Sequence, residues 1–139
     1  DPLSPEFTFQ EFKTRVKSTK RKIKQVLMDQ SLIAGIGNIY SDEALFAAKI
    51  HPERRANTLS EKEIKDLYQS IKKILKKAIE VGGESISDYR RPDGSKGGFD
   101  SLRKVYRREG EPCPRCKAPI KRIKIGQRSS YFCPKCQKL

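Results

Sequence analysis

Apolar residues recur at helical spacing between positions 8 and 80, with polar and charged residues between them. This pattern predicts four helices in chain order, at about 8–18, at 20–29, at 38–49 and from 61 to the Gly82-Gly83 pair. Thr8 and Ser60 are of a residue type that caps helices, and Ser60 forms an S-x-x-E capping box with Glu63. The first part of the chain is therefore predicted to be mainly α.

The periodicity changes after about residue 100. Two short runs, at 120–125 and 129–133, read as strands, with Gly126-Gln127-Arg128 as the turn of a hairpin and Arg128 at its tip. We therefore predict a helical domain over 1–100 and a small β unit over 101–139. The glycine- and proline-rich stretch at about 86–99 is predicted to be a loop that belongs to the first domain.

The β unit holds all four cysteines, as two C-x-x-C pairs with the segment 117–132 between them: Cys113, Cys116, Cys133 and Cys136. Two such turns at this spacing are typical of a zinc site, and four protein ligands leave no open position for catalysis. Two alternatives are disulfides, which need an oxidising compartment, and a thioredoxin-like redox pair, which needs a βαβ context. We predict one structural Zn²⁺, which supplies the staple that a unit of about 40 residues needs to fold.

Charge narrows the class of partner. Lys and Arg number 31 and Asp and Glu number 17, for a net charge of +14. Such an excess indicates a polyanionic partner, with nucleic acid first and an anionic membrane second. No apolar run approaches the ~20 residues of a membrane span, and no stretch reads as a signal peptide, so we expect a soluble intracellular protein. A ribosomal or histone-like structural role fits the charge equally well.

Residues 33–40, IAGIGNIY, place two glycines between the second and third predicted helices. Asn38 is a favourable N-cap for the third helix, and this role alone would explain it. The same geometry suits a phosphate, because a helix N-terminus offers unpaired N–H groups and Gly35 and Gly37 have no Cβ to obstruct a close approach. These residues are therefore candidates for contact with a nucleic-acid backbone.

The order of several motifs resembles one known family. These motifs are AGIGNIY (34–40), DEALF (42–46), IHP (50–52), EPCPRC (111–116) and GQRSSYFCPKCQ (126–137). They look like the helix–two-turn–helix domain and the C-terminal zinc finger of the formamidopyrimidine-DNA glycosylase and endonuclease VIII family. The resemblance covers nearly the whole chain and is closer to the formamidopyrimidine branch, which acts on 8-oxoguanine. It implies a helix–two-turn–helix DNA-binding domain followed by a β-hairpin zinc finger.

The resemblance also implies a function and site residues. Members of this family remove oxidised purines from DNA and cleave the strand as AP lyases in base excision repair. By resemblance, Asn38 and Arg128 hold phosphates around the extruded nucleotide, and the loop at 86–99 covers the flipped base. Lys24 and Tyr40 lie near the active site and are also predicted to contact the DNA. The implied partner is lesion-containing duplex DNA. We expect a monomer that acts in the cytoplasm or nucleoid, or in a nucleus or organelle if the source is eukaryotic.

The start of the chain departs from the family pattern. The family's nucleophile is an N-terminal proline followed by glutamate, whereas this sequence begins Asp1-Pro2-Leu3. We therefore expect no catalytic residue in this chain, and expect it to be inert without the family's N-terminal domain. One alternative is a catalytically active enzyme, if a second chain or a further segment supplies the Pro-Glu pair. Another is a zinc-ribbon protein that binds RNA or ribosomes, against which the order of the motifs argues. Arg107, after Val105-Tyr106, also stands where the family usually has glycine.

Overall fold

The computed structural model describes residues 7–29, 37–80 and 103–139. Within them the elements follow in the order α1 (Phe9–Lys17), α2 (Ile23–Met28), α3 (Gly37–Ala48), a 3₁₀ turn (Ala56–Thr58), α4 (Glu61–Glu80), β1 (Lys121–Ile125) and β2 (Arg128–Phe132). The predicted mainly α fold with a small hairpin is confirmed. Gly35, the Gly82-Gly83 stop, the loop at 86–99 and the boundary near residue 100 lie outside the described residues, and the division into two domains stays a prediction.

The four helices enclose one hydrophobic core. The predicted stripe of α4 is buried at Ile64, Leu67 and Ile71, and its partners on the other helices include Phe12 and Leu45. Burial of such side chains stabilises the fold by about 1.5–3 kcal/mol each. The helical periodicity of the sequence therefore reports the buried faces correctly.

The predicted caps are present at both helix starts. The hydroxyl of Thr8 accepts a hydrogen bond from the N–H of Glu11 at 3.2 Å. At α4, the Glu63 N–H donates to Ser60 Oγ at 3.1 Å, and the Ser60 N–H donates to Glu63 Oε1 at 2.9 Å. The guanidinium of Arg54 also donates to both oxygens of Glu63, at 2.9 and 3.0 Å. The capping box thus also fixes the loop before α4.

The hairpin is shifted slightly from its prediction. β1 and β2 are antiparallel, and Ile125 pairs with Arg128, so that the turn contains only Gly126 and Gln127. The predicted three-residue turn with Arg128 at its tip is therefore wrong by one residue, and Arg128 begins β2. The two-residue turn is the shorter solution that a right-handed strand twist favours, with Gly126 in the left-handed region.

A second hydrophobic cluster packs residues 103–139, the region predicted to be a zinc finger, against the helices. Phe46 of α3 and Ala78 of α4 lie with Val105, Ile120 and Tyr131. Residues far apart in the sequence thus share one apolar interface, and the hairpin is held at a defined place on α3.

The carboxylate of Glu43 on α3 strengthens this interface. It accepts three backbone hydrogen bonds, from Lys104 at 2.8 Å, Val105 at 3.0 Å and Tyr106 at 2.9 Å. Burial raises the pKa of Glu43, and the three N–H donors oppose that shift. The next residue, Arg107, has a φ of 57°, which glycine adopts most readily. This backbone conformation suits the glycine that the resembled family usually has there.

Candidate nucleic-acid interface and metal centre

The four cysteine thiols converge on one point. Their sulfur atoms all lie within 4.8 Å of one another, with Cys113 and Cys133 buried and the other two half-buried. Two of the pairs, Cys116–Cys133 and Cys113–Cys136, are 3.4 and 3.8 Å apart. Four ligands at ~2.3 Å from a tetrahedral Zn²⁺ would lie about 3.8 Å from each other, whereas a disulfide requires ~2.05 Å. The donor set therefore fits one structural metal ion, as the spacing predicts.

Backbone and side-chain groups support these ligands. The N–H of Arg115 donates to Cys113 Sγ at 3.3 Å, and the N–H of Cys136 donates to Cys133 Sγ at 3.4 Å. Such donors orient thiolates and disperse their charge. The buried Gln137 accepts from the Cys133 N–H at 2.8 Å and donates to the Ile50 carbonyl at 3.0 Å. Gln137 thereby connects the metal centre to Ile50, which lies just after the end of α3.

The N-terminus of α3 differs from its prediction in one respect. The helix begins at Gly37, whose φ of 67° lies in the left-handed region, and an added Cβ there would meet nothing within 4 Å in the described structure. Gly37 is therefore required for its backbone conformation. Asn38 lies inside the first turn, and within the described residues its Oδ1 has no hydrogen-bond partner. The predicted N-cap role of Asn38 is thus not observed.

The amide nitrogen of Asn38 contacts the hairpin instead. It donates to the backbone carbonyl of Ser129 at 3.1 Å. The same carbonyl lies 3.4 Å from Lys24 Nζ. Since Ser129 follows Arg128, the structure brings three of the residues predicted to contact DNA to one edge of β2.

Lys24 lies in a buried ion pair. Lys24 and Asp42 are each 1% exposed, and Lys24 Nζ lies 2.5 Å from Asp42 Oδ1. Burial lowers the pKa of Lys24 and raises the pKa of Asp42, while their mutual attraction opposes both shifts. The charge of Arg128 lowers the pKa of Lys24 further, because the guanidinium group lies close enough to Lys24 to repel its ammonium group. A contact of Lys24 with DNA would require release from Asp42, and this role stays a prediction.

Arg128 itself is exposed at the start of β2. The adjoining turn lies against α2, because a Cβ added to Gly126 would stand 3.8 Å from Gln25 Nε2, an ordinary contact. The hairpin also carries the exposed basic residues Lys121, Arg122 and Lys124. The predicted cationic residue thus projects from a hairpin that is held against both α2 and α3.

Tyr40 is half-buried and packs against both hydrophobic clusters. It therefore joins the helical core to the zinc-finger region, and its predicted place near the lesion remains a prediction. The sequence pattern predicted no role for Asp42 or Ser130, whose side chains meet at 2.8 Å. The available signal was the position of Asp42 in α3, four residues after Asn38 and so on the same helix face.

Comparison with known proteins identifies two family models. The model described as the formamidopyrimidine-DNA glycosylase H2TH domain matches residues 1–90. The model described as the zinc finger found in FPG and IleRS matches residues 110–139. The chain belongs to the formamidopyrimidine-DNA glycosylase family. The resemblance seen in the sequence is thus confirmed.

Curated relatives agree over the whole chain. The formamidopyrimidine-DNA glycosylase of Listeria innocua is 48% identical over 138 residues, which are 99% of this chain and 50% of the relative. That of Thermus thermophilus is 47% identical and is matched over 52% of its length. The chain therefore spans about half the length of the curated relatives it matches.

Solved structures confirm the fold. The MutM (Fpg) protein of Thermus thermophilus superposes with a TM-score of 0.90 at 47% identity, over 99% of this chain and 52% of that one. The Lactococcus lactis Fpg in complex with DNA that contains an abasic site gives 0.89 at 43% identity, over 99% and 51%. Within the described residues, no helix has the length and apolar character required to cross a membrane.

Proposed function

We propose that this chain is the DNA-binding region of a base-excision-repair glycosylase and AP lyase, and that it binds damaged duplex DNA through phosphate contacts. The main observation in support is the hydrogen bond from Asn38 on α3 to Ser129 on β2. This contact places the exposed Arg128 beside the start of α3. Helix N-termini and arginine side chains are both well suited to donate to phosphate.

The donor chemistry at this junction supports the proposal. An amide nitrogen carries two hydrogens, so Asn38 can donate one to Ser129 and the other to a phosphate oxygen. Gly37 presents no Cβ at the start of α3, and Gly35 precedes it in the sequence. Contacts of this kind give affinity without sequence preference, which suits a protein that must search any DNA.

The relatives support the class of lesion. Fpg proteins of the same fold have been solved with DNA containing Fapy-dG, carbocyclic 8-oxo-G and an abasic site. We propose that the longer protein to which this region corresponds removes oxidised purines and that this region holds the damaged duplex as a monomer. Its place of action would be the compartment that contains the genomic DNA.

A salt titration tests the proposal. The zinc-loaded chain is mixed with a fluorescein-labelled duplex that contains an abasic site, and anisotropy is measured at several KCl concentrations. The affinity should fall linearly on a log–log plot, with a slope of about −0.9 for each phosphate neutralised. An RNA duplex of the same length serves as the control.

Two results would contradict the proposal. A flat salt dependence would exclude a phosphate clamp, since release of counterions would then not contribute. Tighter binding to the RNA duplex than to the DNA duplex would favour the alternative of a zinc-ribbon RNA-binding protein.

A further inference from the structure

The spacing of two contacts places α3 in register with β2. Asn38 Nδ2 meets the carbonyl of Ser129 at 3.1 Å, and Asp42 Oδ2 accepts from the N–H of Tyr131 at 3.0 Å. Four residues of an α-helix rise about 6 Å, and two residues of a strand span about 6.7 Å. Side chains on one face of α3 therefore pair with successive outward groups on the free edge of β2.

Asp42 is the charged member of this register. Its carboxylate accepts from Lys24 Nζ at 2.5 Å, from Ser130 Oγ at 2.8 Å and from the Tyr131 N–H at 3.0 Å. An ionised carboxylate can accept all three and also neutralise a buried ammonium group. One side chain thus joins α2, α3 and β2.

We propose that Asp42 is a positioning residue for DNA binding, which holds β2 at the height on α3 where Arg128 can reach a phosphate. This inference rests on the function proposed above. A shift of β2 by one residue would reverse the faces of its side chains. A shift by two would move Arg128 about 6.7 Å along α3. The contacts of Asn38 and Asp42 with outward backbone groups of β2 exclude the first shift. The hydrogen bond from Ser130 Oγ to Asp42 excludes the second, because a shift by two would put Arg128 or Phe132 in the place of Ser130.

Removal of the charge should uncouple Arg128 from binding. In Asp42→Asn, an amide NH₂ would face either Lys24 or the Tyr131 N–H, so that one donor would oppose another. The buried ammonium of Lys24 would also lose its counter-charge while remaining close to Arg128. We expect the edge of β2 to move away from α3 as a result.

A second substitution should restore the position. In the Lys24→Met, Asp42→Asn double variant, the new amide can accept from the Tyr131 N–H and donate to Ser130 Oγ. Neither group is then left unpaired, and no buried charge remains. The pairing of α3 with β2 should therefore recover without any ion pair.

The test compares the effect of Arg128→Ala across four backgrounds, with an abasic-site duplex as the probe and zinc-loaded protein throughout. We expect the Arg128→Ala substitution to weaken binding about tenfold in the wild-type chain and less than about threefold in the Asp42→Asn background. The loss should return to about tenfold in the double variant. Asp66→Asn, an equal charge change at an exposed ion pair with Lys62, should leave the tenfold loss unchanged.

A second measurement reports directly on the position of β2 against α3. Amide hydrogen exchange at Tyr131 should accelerate in Asp42→Asn and slow again in the double variant. If Asp42→Asn fails to fold by circular dichroism, Ser130→Ala removes one of the three donors without uncovering a charge. The Arg128 effect in Ser130→Ala must then be smaller than in Asp66→Asn.

The possible failures are distinct. An equal Arg128 effect in the Asp42→Asn and wild-type backgrounds, or in Ser130→Ala and Asp66→Asn, would overturn the positioning role and leave the proposed function intact. Wild-type binding that is insensitive to both salt and Arg128→Ala would overturn the proposed function, and the role of Asp42 would fall with it.

Discussion

The side-chain amide nitrogen of Asn38 lies 3.1 Å from the carbonyl oxygen of Ser129, although 91 positions separate the two residues. This contact joins the start of α3 to the start of β2. It places Asn38 next to Arg128, so that two hydrogen-bond donors from distant parts of the sequence face one region of the surface. Both donors are therefore expected to contribute to DNA affinity.

Asn38→Asp should weaken binding to an abasic-site duplex by more than tenfold. The new carboxylate would lose the N–H donor, oppose the Ser129 carbonyl and repel a phosphate. Anisotropy titration measures the effect. The Asn57→Asp change on the 3₁₀ turn alters the charge equally and should reduce affinity far less. Equal losses in both variants would mean that net charge alone governs binding.

Arg128→Ala should weaken binding by about 1–2 kcal/mol, because a charged hydrogen bond to phosphate is lost. The fold should be unaffected, since the side chain is exposed. Arg55→Ala, which also removes one exposed guanidinium, is the matched control for the salt-dependent part of the loss. Unchanged affinity in Arg128→Ala would show that Arg128 does not contact the DNA and is only a structural residue of the hairpin.

Removal of zinc with a strong chelator should unfold residues 103–139 and spare α1 to α4. The thiolates converge on a single ion, and the small hairpin unit lacks enough apolar area to fold without it. The helices keep their own hydrophobic core. Hydrogen exchange followed by mass spectrometry distinguishes the two regions. Retained protection of the hairpin after chelation would refute a structural metal.

Glu43→Gln should destabilise the protein by about 1–3 kcal/mol. The carboxylate accepts three backbone N–H groups, whereas an amide presents its own donors to at least one of them. Urea unfolding measures the loss. Glu61→Gln, at an exposed pair with Lys13, should have no measurable effect. If both variants unfold at the wild-type midpoint, Glu43 does not hold the segment after residue 103.

His51 should titrate below its ordinary pKa of about 6.5. Burial lowers its pKa, and the nearby charge of Glu53 opposes this only in part. The unfolded chain then binds a proton more tightly than the folded chain, so stability should fall as the pH drops from about 6.5 through the folded pKa. His51 is the only histidine, which makes its ring resonances simple to follow by NMR. A folded pKa at or above that in urea would contradict the prediction.

The sequence by itself determined the parts that depend on local periodicity and spacing. The helices α1, α2 and α4 are each specified by an apolar stripe, and the caps at Thr8 and Ser60 act on N–H groups three positions further along the chain. Each C-x-x-C turn directs two thiols to one side, so the metal site could be predicted from the segment 113–136 alone. The family was also recognisable, because its motifs occur in a fixed order.

Only the tertiary structure decided which of these parts meet. The contact of Asp42 with the Tyr131 N–H joins residues 89 positions apart, and no local pattern encodes it. The burial of Lys24 had the same origin: the resemblance placed Lys24 near the active site, but only the packing of β2 against α3 shows that it is enclosed with Asp42. The sequence favours each element separately, whereas the register between α3 and β2 arises because the rise of four helical residues nearly matches the two-residue repeat of a strand.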